Sequence, residues 1–229
     1  MSNSDKSWKD TSKKLWENFK YYARETWNFL WHEDSVWSWM ASILIAFVLI
    51  KFLLYPAVGL YLGTELPVVA VISESMSHDG SFDEWWASPA LCMDGNVQRM
   101  CTQEEWYSQR GITKEEFKNF RMSDGFNKGD IIILKGITFE ELQVGDILVY
   151  DTKLSYPVIH RVVAKTDVIE TKGDHNQNQL LDAKINERYI SKDDIIGIAW
   201  VKIPYLGYVK ILFAQLVQCV TFNGCYFGK

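Results

Sequence analysis

The sequence predicts a mainly β domain with an irregular insertion, carried behind one N-terminal transmembrane helix. Three observations predict it. Residues 37–63, WSWMASILIAFVLIKFLLYPAVGLYLG, stay apolar over a membrane-crossing length. Beyond residue 130, short runs such as IIILK, ILVY, VIHRVVAK and IIGIAWVKI are rich in β-branched residues, and turns such as NKGD and VGD punctuate them. Between these regions, residues 78–127 hold no sustained period.

Residues 1–35 read as a cytoplasmic amphipathic segment. Trp8, Leu15, Phe19, Tyr22 and Trp27 recur at near-helical spacing beside Lys9, Lys13, Lys20 and Arg24, the pattern of a helix lying on a membrane surface. Residues 36–63 read as the span. Lys51 lies inside it and Pro56 is placed to kink it, while Trp37, Trp39, Tyr55 and Tyr61 suit the two interfaces. The polar lead is too long for the n-region of a cleavable signal peptide. Its basic residues place the N-terminus in the cytoplasm and residues 64–229 on the outer side.

The first 36 residues carry six basic and six acidic side chains, so the net charge of −5 belongs to the remainder. That balance argues against a nucleic-acid-binding surface. All four cysteines follow the span, where disulfides are permitted. Proximity favours Cys92–Cys101 and Cys219–Cys225, though four cysteines allow three pairings. No CxxC pair suggests zinc.

Within the insertion, Thr113 with Glu116 forms a capping-box pattern ahead of a short helix ending near Phe120. Residues 204–222 read as a C-terminal amphipathic helix; a second span is the alternative.

VVAVISESMSHDG, residues 68–80, raises the functional question. An apolar strand runs into Ser73-Glu74-Ser75-Met76. If the strand continues, Ser73 and Ser75 point to one side. A serine becomes a nucleophile only with a base in reach.

Four segments in order resemble the conserved boxes of type I signal peptidases. They are Ser73-Glu74-Ser75-Met76, Phe126-Asn127-Lys128-Gly129-Asp130, Val158-Ile159-His160-Arg161-Val162-Val163 and Thr171-Lys172-Gly173-Asp174-His175-Asn176. Histidine in the third box is similar to the archaeal and endoplasmic-reticulum branch, since bacterial relatives carry lysine there. The resemblance implies a signal-peptidase-like β domain that cleaves signal peptides from secretory preproteins. It also implies membrane lipid and the translocation channel as partners, and no metal or cofactor.

In that resemblance Ser75 is the nucleophile and His160 the base. The backbone N–H of Ser75 and the hydroxyl of Ser73 form the oxyanion hole. Val69, Val71 and Ile72 line pockets for small substrate side chains. The family carries a second aspartate six residues after the first, where this chain has Leu180. Asp182 is therefore the expected partner of His160, with Asp174 as the alternative. His78 and His175 are rival bases, and Lys153 or Lys165 would make a Ser-Lys dyad. A catalytically inactive membrane-tethered subunit and a peptidase for other exported proteins are the competing functions. The long stretch between Ser77 and Asn127 leans the resemblance toward the archaeal side.

Overall fold

A computed structural model describes residues 3–33 and 35–206, with side chains from residue 13 onward. The expected C-terminal helix beyond Leu206 and the Cys219–Cys225 pairing lie outside the described residues. The chain divides into two units, Met1–Ala57 and Val58–Lys229.

In the first unit, α1 spans Asn3–His32 and α2 spans Val36–Leu49. Ser35 caps α2 by accepting the N–H of Ser38 at 3.1 Å, relieving one orphan donor of the first turn. A π turn at Ile50–Leu54 joins α2 to α3, Tyr55–Leu62, so that a continuous helix runs from Val36 to Leu62. Pro56 explains the π turn. Proline supplies no N–H for the carbonyl four residues back, and an i→i+5 turn re-satisfies the backbone locally. The helix is long and apolar enough to cross a membrane, and its large side chains from Trp37 to Leu54 are exposed, as are Leu15, Phe19, Tyr22 and Trp27 of α1.

The second unit is built on a six-stranded antiparallel sheet in the order β1-β4-β8-β5-β6-β7. The strands are β1 Val68–Ala70, β4 Ile131–Lys135, β5 Ile147–Tyr150, β6 Val158–Lys165, β7 Ile169–Lys172 and β8 Ile195–Ile203. All four residues of β5 are buried. Ile147 and Val149 enter one core with Met76, Phe126 and Ile132, while Leu148 and Tyr150 enter another with Val162, Ile169 and Ile185. Period-two alternation in a central strand divides it between two faces in this way.

The insertion is more ordered than its sequence suggests. It contains α4 Phe82–Trp86, a hairpin of β2 Pro89–Asp94 and β3 Val97–Thr102, α5 Gln103–Ser108 and α6 Lys114–Asn119. Ser81 with Glu84 and Thr113 with Glu116 form complete capping boxes, and Thr102 caps α5. A Cys92–Cys101 disulfide joins the two hairpin strands. Trp85, Trp86, Trp106, Tyr107 and Phe117 form a buried aromatic core that closes over Val163 of β6. Aromatics carry enough apolar area to make a core from few residues, so short helices suffice where no long period exists.

Candidate active site

β1 ends at Ala70, so the strand does not continue through Ser75 and a shared strand face is not what brings Ser73 and Ser75 together. Val71 is still pinned, giving its N–H to Asp130 O at 2.9 Å and accepting from Gly129 N at 2.9 Å. This is the part played by the Asn127–Asp130 turn, whose Asp130 carboxylate in turn accepts Asn127 N–H. The chain then turns, with Ser77 N–H donating to Glu74 O at 3.0 Å. Met76 anchors the turn. Its side chain is buried in the core, and its carbonyl accepts from Phe126 N at 3.0 Å. Ser73 Oγ and Ser75 Oγ remain together, 3.2 Å apart.

His160 lies mid-strand in β6, opposite Leu148 of β5. Alternation sends His160 and Arg161 to opposite faces. His160 Nε2 is 2.9 Å from Ser75 Oγ, and its Nδ1 meets a carboxylate oxygen of Glu187. The His160 and Glu187 side chains are 4% and 0% exposed.

The carboxylate beside His160 is thus Glu187, neither of the two expected aspartates. The intervening loop explains how it arrives there. A bridge between Leu181 and Asn186 folds the chain back on itself. Glu187 N–H then donates to Leu180 O at 3.0 Å, and Leu180 N–H donates to the Glu187 carboxylate. Glu187 is therefore carried beside Leu180 from the far end of a small hairpin. Thr171 Oγ1 also donates to Glu187, at 3.2 Å, and sits 3.0 Å from the Tyr150 hydroxyl. No strand or helix runs through Ile185-Asn186-Glu187, so no local period in the sequence marked Glu187.

Asp182 is exposed and turns the tip of that hairpin, accepting N–H groups from Lys184 at 2.6 Å and Ile185 at 2.9 Å. Those two bonds hold its carboxyl below the usual range. With Lys153 it borders a separate cleft lined also by Tyr189. Asp174 is fully buried on the Arg161 side, accepting from Arg161 Nε at 2.9 Å and Nη2 at 2.7 Å and from the Tyr107 hydroxyl at 3.2 Å. Burial opposes its charge, but Arg161, with His78 beside it, keeps the carboxyl far below the usual range. Asp174 is a structural ion-pair member rather than a neighbour of His160.

The rival bases are engaged elsewhere. His78 Nε2 is 3.1 Å from Asp174, and its ring stacks on Trp85 with centroids 3.7 Å apart. His175 Nδ1 lies 3.3 Å from Ser77 Oγ. Lys165 Nζ donates to the carbonyls of Glu140 and Leu142. The buried lysine missed in the sequence is Lys172, which donates to Gln103 Oε1 at 2.9 Å and Gly173 O at 3.0 Å. Burial brings it down to about 7.

Ser73, Ser75 and His160 open onto a cleft of about 410 Å³ lined also by Val69, Val71, Ile72, Tyr156 and Ile159. Val71 is core, Val69 is half-buried and Ile72 is exposed. Among the described residues β1 pairs only with β4, and its other edge borders this cleft.

A hydroxyl on an imidazole whose second nitrogen meets a buried carboxylate is the constellation of a serine hydrolase. The chain is similar to proteins named signal peptidase complex catalytic subunit SEC11. It is 36% identical over 103 residues to that of Colletotrichum graminicola, 36% over 104 residues to that of Sclerotinia sclerotiorum, and 35% over 103 residues to that of Pyricularia oryzae. In each case the match covers 41% of this chain and 59% of the relative, so the chain spans under two thirds of the curated relatives' length. No family model matches the chain.

Proposed function

We propose that the protein is a membrane-anchored serine endopeptidase of the type I signal peptidase kind, which removes N-terminal signal peptides from exported preproteins. The observation that carries the proposal is the 2.9 Å contact of Ser75 Oγ with His160 Nε2, with Glu187 on the opposite ring nitrogen. The similarity to signal peptidase complex catalytic subunits supplies the substrate class.

The chemistry follows from the positions of the protons. Glu187 takes the Nδ1–H of His160 as a hydrogen bond, which leaves Nε2 free to accept the Ser75 proton. Ser75 Oγ then attacks the scissile carbonyl. Charge collects on the carbonyl oxygen, where the Ser75 N–H and the Ser73 hydroxyl donate; removing one such donor costs ~3 kcal/mol of barrier. Buried Glu187 stabilises the imidazolium, which passes its proton to the leaving amine. Water, deprotonated by the same imidazole, releases the signal peptide from Ser75.

The preprotein binds extended along the edge of β1 that borders the cleft, adding a strand to the sheet. Val69, Val71 and Ile72 border the pockets for its small side chains. The helix Val36–Leu62 anchors the enzyme, with the lysine-bearing N-terminal segment cytoplasmic and the disulfide-bearing domain outside. Lipid, the translocation channel and further subunits are the expected partners. Purified protein in detergent, given a preprotein, should cut at the signal junction, and Ser75→Ala and His160→Ala should abolish the cut. Cleavage retained by Ser75→Ala rules out Ser75 as the nucleophile and sinks the proposal, and a wild type that leaves the preprotein intact favours an inactive, binding subunit.

A further inference from the structure

Residues 173–179 form a loop with little regular structure of its own, yet they touch the reactive pair directly. His175 N–H donates to Ser75 O at 2.9 Å. A Cβ added to Gly173 would stand 2.7 Å from Ser75 O and 2.9 Å from His160 Nε2. The same loop continues into Gln179, whose amide donates to Thr171 O at 3.1 Å and lies 3.4 Å from Glu187 O.

What holds this loop is the insertion. Trp85 Nε1 of α4 donates to Asp174 O at 3.1 Å, and Leu91 N of β2 donates to Gln177 O at 2.9 Å. From α5, Gln103 Nε2 donates to Asn176 O at 3.1 Å, Trp106 Nε1 to Asn178 Oδ1 at 3.1 Å and the Tyr107 hydroxyl to Asp174 at 3.2 Å. Arg110, just after α5, reaches Gln179 Oε1 at 3.3 Å and stacks over Trp106. Gln103 works in both directions, since its Oε1 also accepts from the buried Lys172 that ends β7 just before the loop.

We infer that the insertion is a built-in positioning element for the catalytic loop, with Gln103 and Trp106 as its positioning residues. This rests on the reading of Ser75 and His160 as the reactive pair. A surface loop left to itself samples several conformations, and here each would displace the ring of His160 or the carbonyl of Ser75. The bonds from α4, β2 and α5 fix one of them. A misplacement of about 1 Å at a reacting pair is enough to cost ~100-fold in rate.

The test uses the full chain in detergent and two readouts: the rate at which a fluorophosphonate reagent labels Ser75, and kcat and KM for preprotein cleavage. Gln103→Leu and Trp106→Phe each remove a donor to the loop and leave an apolar side chain of similar or smaller size, Gln103→Leu also removing the acceptor of Lys172. The expected result is labelling of Ser75 and kcat both slowed about tenfold with KM within about twofold, in protein whose thermal unfolding stays cooperative. Wild-type labelling rates in both variants overturn the inference. A merely structural role would lower the melting temperature and leave the labelling rate of the folded protein unchanged. Should Gln103→Leu fail to fold, Trp106→Phe decides alone. Wild type that labels but leaves the preprotein intact sinks the substrate reading and leaves this one standing on the labelling rates. Wild type that neither labels at Ser75 nor cleaves the preprotein overturns both, and in wild type that cleaves without labelling kcat decides.

Discussion

Replacing Glu187 by glutamine is the most informative single perturbation of the site. The substitution keeps the shape but leaves a single acceptor oxygen, which can stay on Leu180 N–H while the amide nitrogen takes the place that now faces Thr171 Oγ1 and His160 Nδ1. It also removes the charge facing His160 Nδ1. Both side chains are almost wholly buried, so solvent screens the pair weakly. The amide also offers its own N–H groups, which favours the tautomer with the proton on Nε2, where it cannot accept from Ser75. In the serine-hydrolase template the equivalent change lowers kcat by roughly 10⁴-fold, or ~5.5 kcal/mol of transition-state stabilisation. Asp182, exposed at the hairpin tip, should change kcat by no more than about twofold when replaced by alanine. The assay is single-turnover cleavage of a preprotein by Glu187→Gln, Glu187→Asp and Asp182→Ala side by side. The aspartate variant should recover part of the rate, since it restores the charge at a longer reach. Abolished cleavage in Asp182→Ala with near-normal cleavage in Glu187→Gln refutes the reasoning.

Four further outcomes follow. Gly173→Ala should fold but cleave slowly, because its methyl would meet Ser75 O and His160 Nε2 within 2.9 Å; circular dichroism alongside cleavage rates checks this. Asp174→Ala leaves Arg161 buried and unpaired and should destabilise the protein by ~3–5 kcal/mol in denaturant melts. Since Asp174 titrates far below the ordinary carboxylate range when folded, its stabilisation is complete above the unfolded value near ~4 and fades as pH falls below it. Lys172 runs the other way: lowered by burial to about 7 from 10.5, and facing Asp174, Glu187, Arg110 and Arg161, it makes stability rise with pH between those two values, where the unfolded chain holds a proton the folded chain lacks. Lys172→Met should flatten that rise in urea titrations across the range. Reducing Cys92–Cys101, nine residues apart, should cost ~2–3 kcal/mol by loop-closure entropy, read as a lowered unfolding midpoint under reductant.

The parts of the fold legible in the sequence are those set by local pattern. The runs at Ile131–Lys135, Ile147–Tyr150, Val158–Lys165 and Ile195–Ile203 are all strands, because β-branched runs bounded by Gly-Asp turns have few other uses. The Thr113–Glu116 capping box is present as read. The hairpin of the insertion and its aromatic core were not legible, since Trp85, Trp106 and Phe117 meet only through tertiary packing. In the site, Ser75 and His160 come together across 85 residues, a juxtaposition that the order of the boxes suggested. The third residue was missed for a physical reason. Spacing along the chain pointed to Leu180 and its neighbour Asp182, whereas the Leu181–Asn186 bridge makes Leu180 and Glu187 neighbours in space. Asp174 was misjudged because its environment is set by Arg161, which alternation places on the opposite face of β6 from His160.

The central claim is that Ser75 is an activated nucleophile served by His160. Its most direct test is mass spectrometry of wild-type, Ser75→Ala and His160→Ala protein after incubation with a preprotein, reading both the cleaved products and the fluorophosphonate adduct. The expected result is a single cut at the signal junction by wild type, an adduct on the peptide that contains Ser75, and neither in the two variants. Cleavage that survives in Ser75→Ala, or an adduct on a different serine, contradicts it.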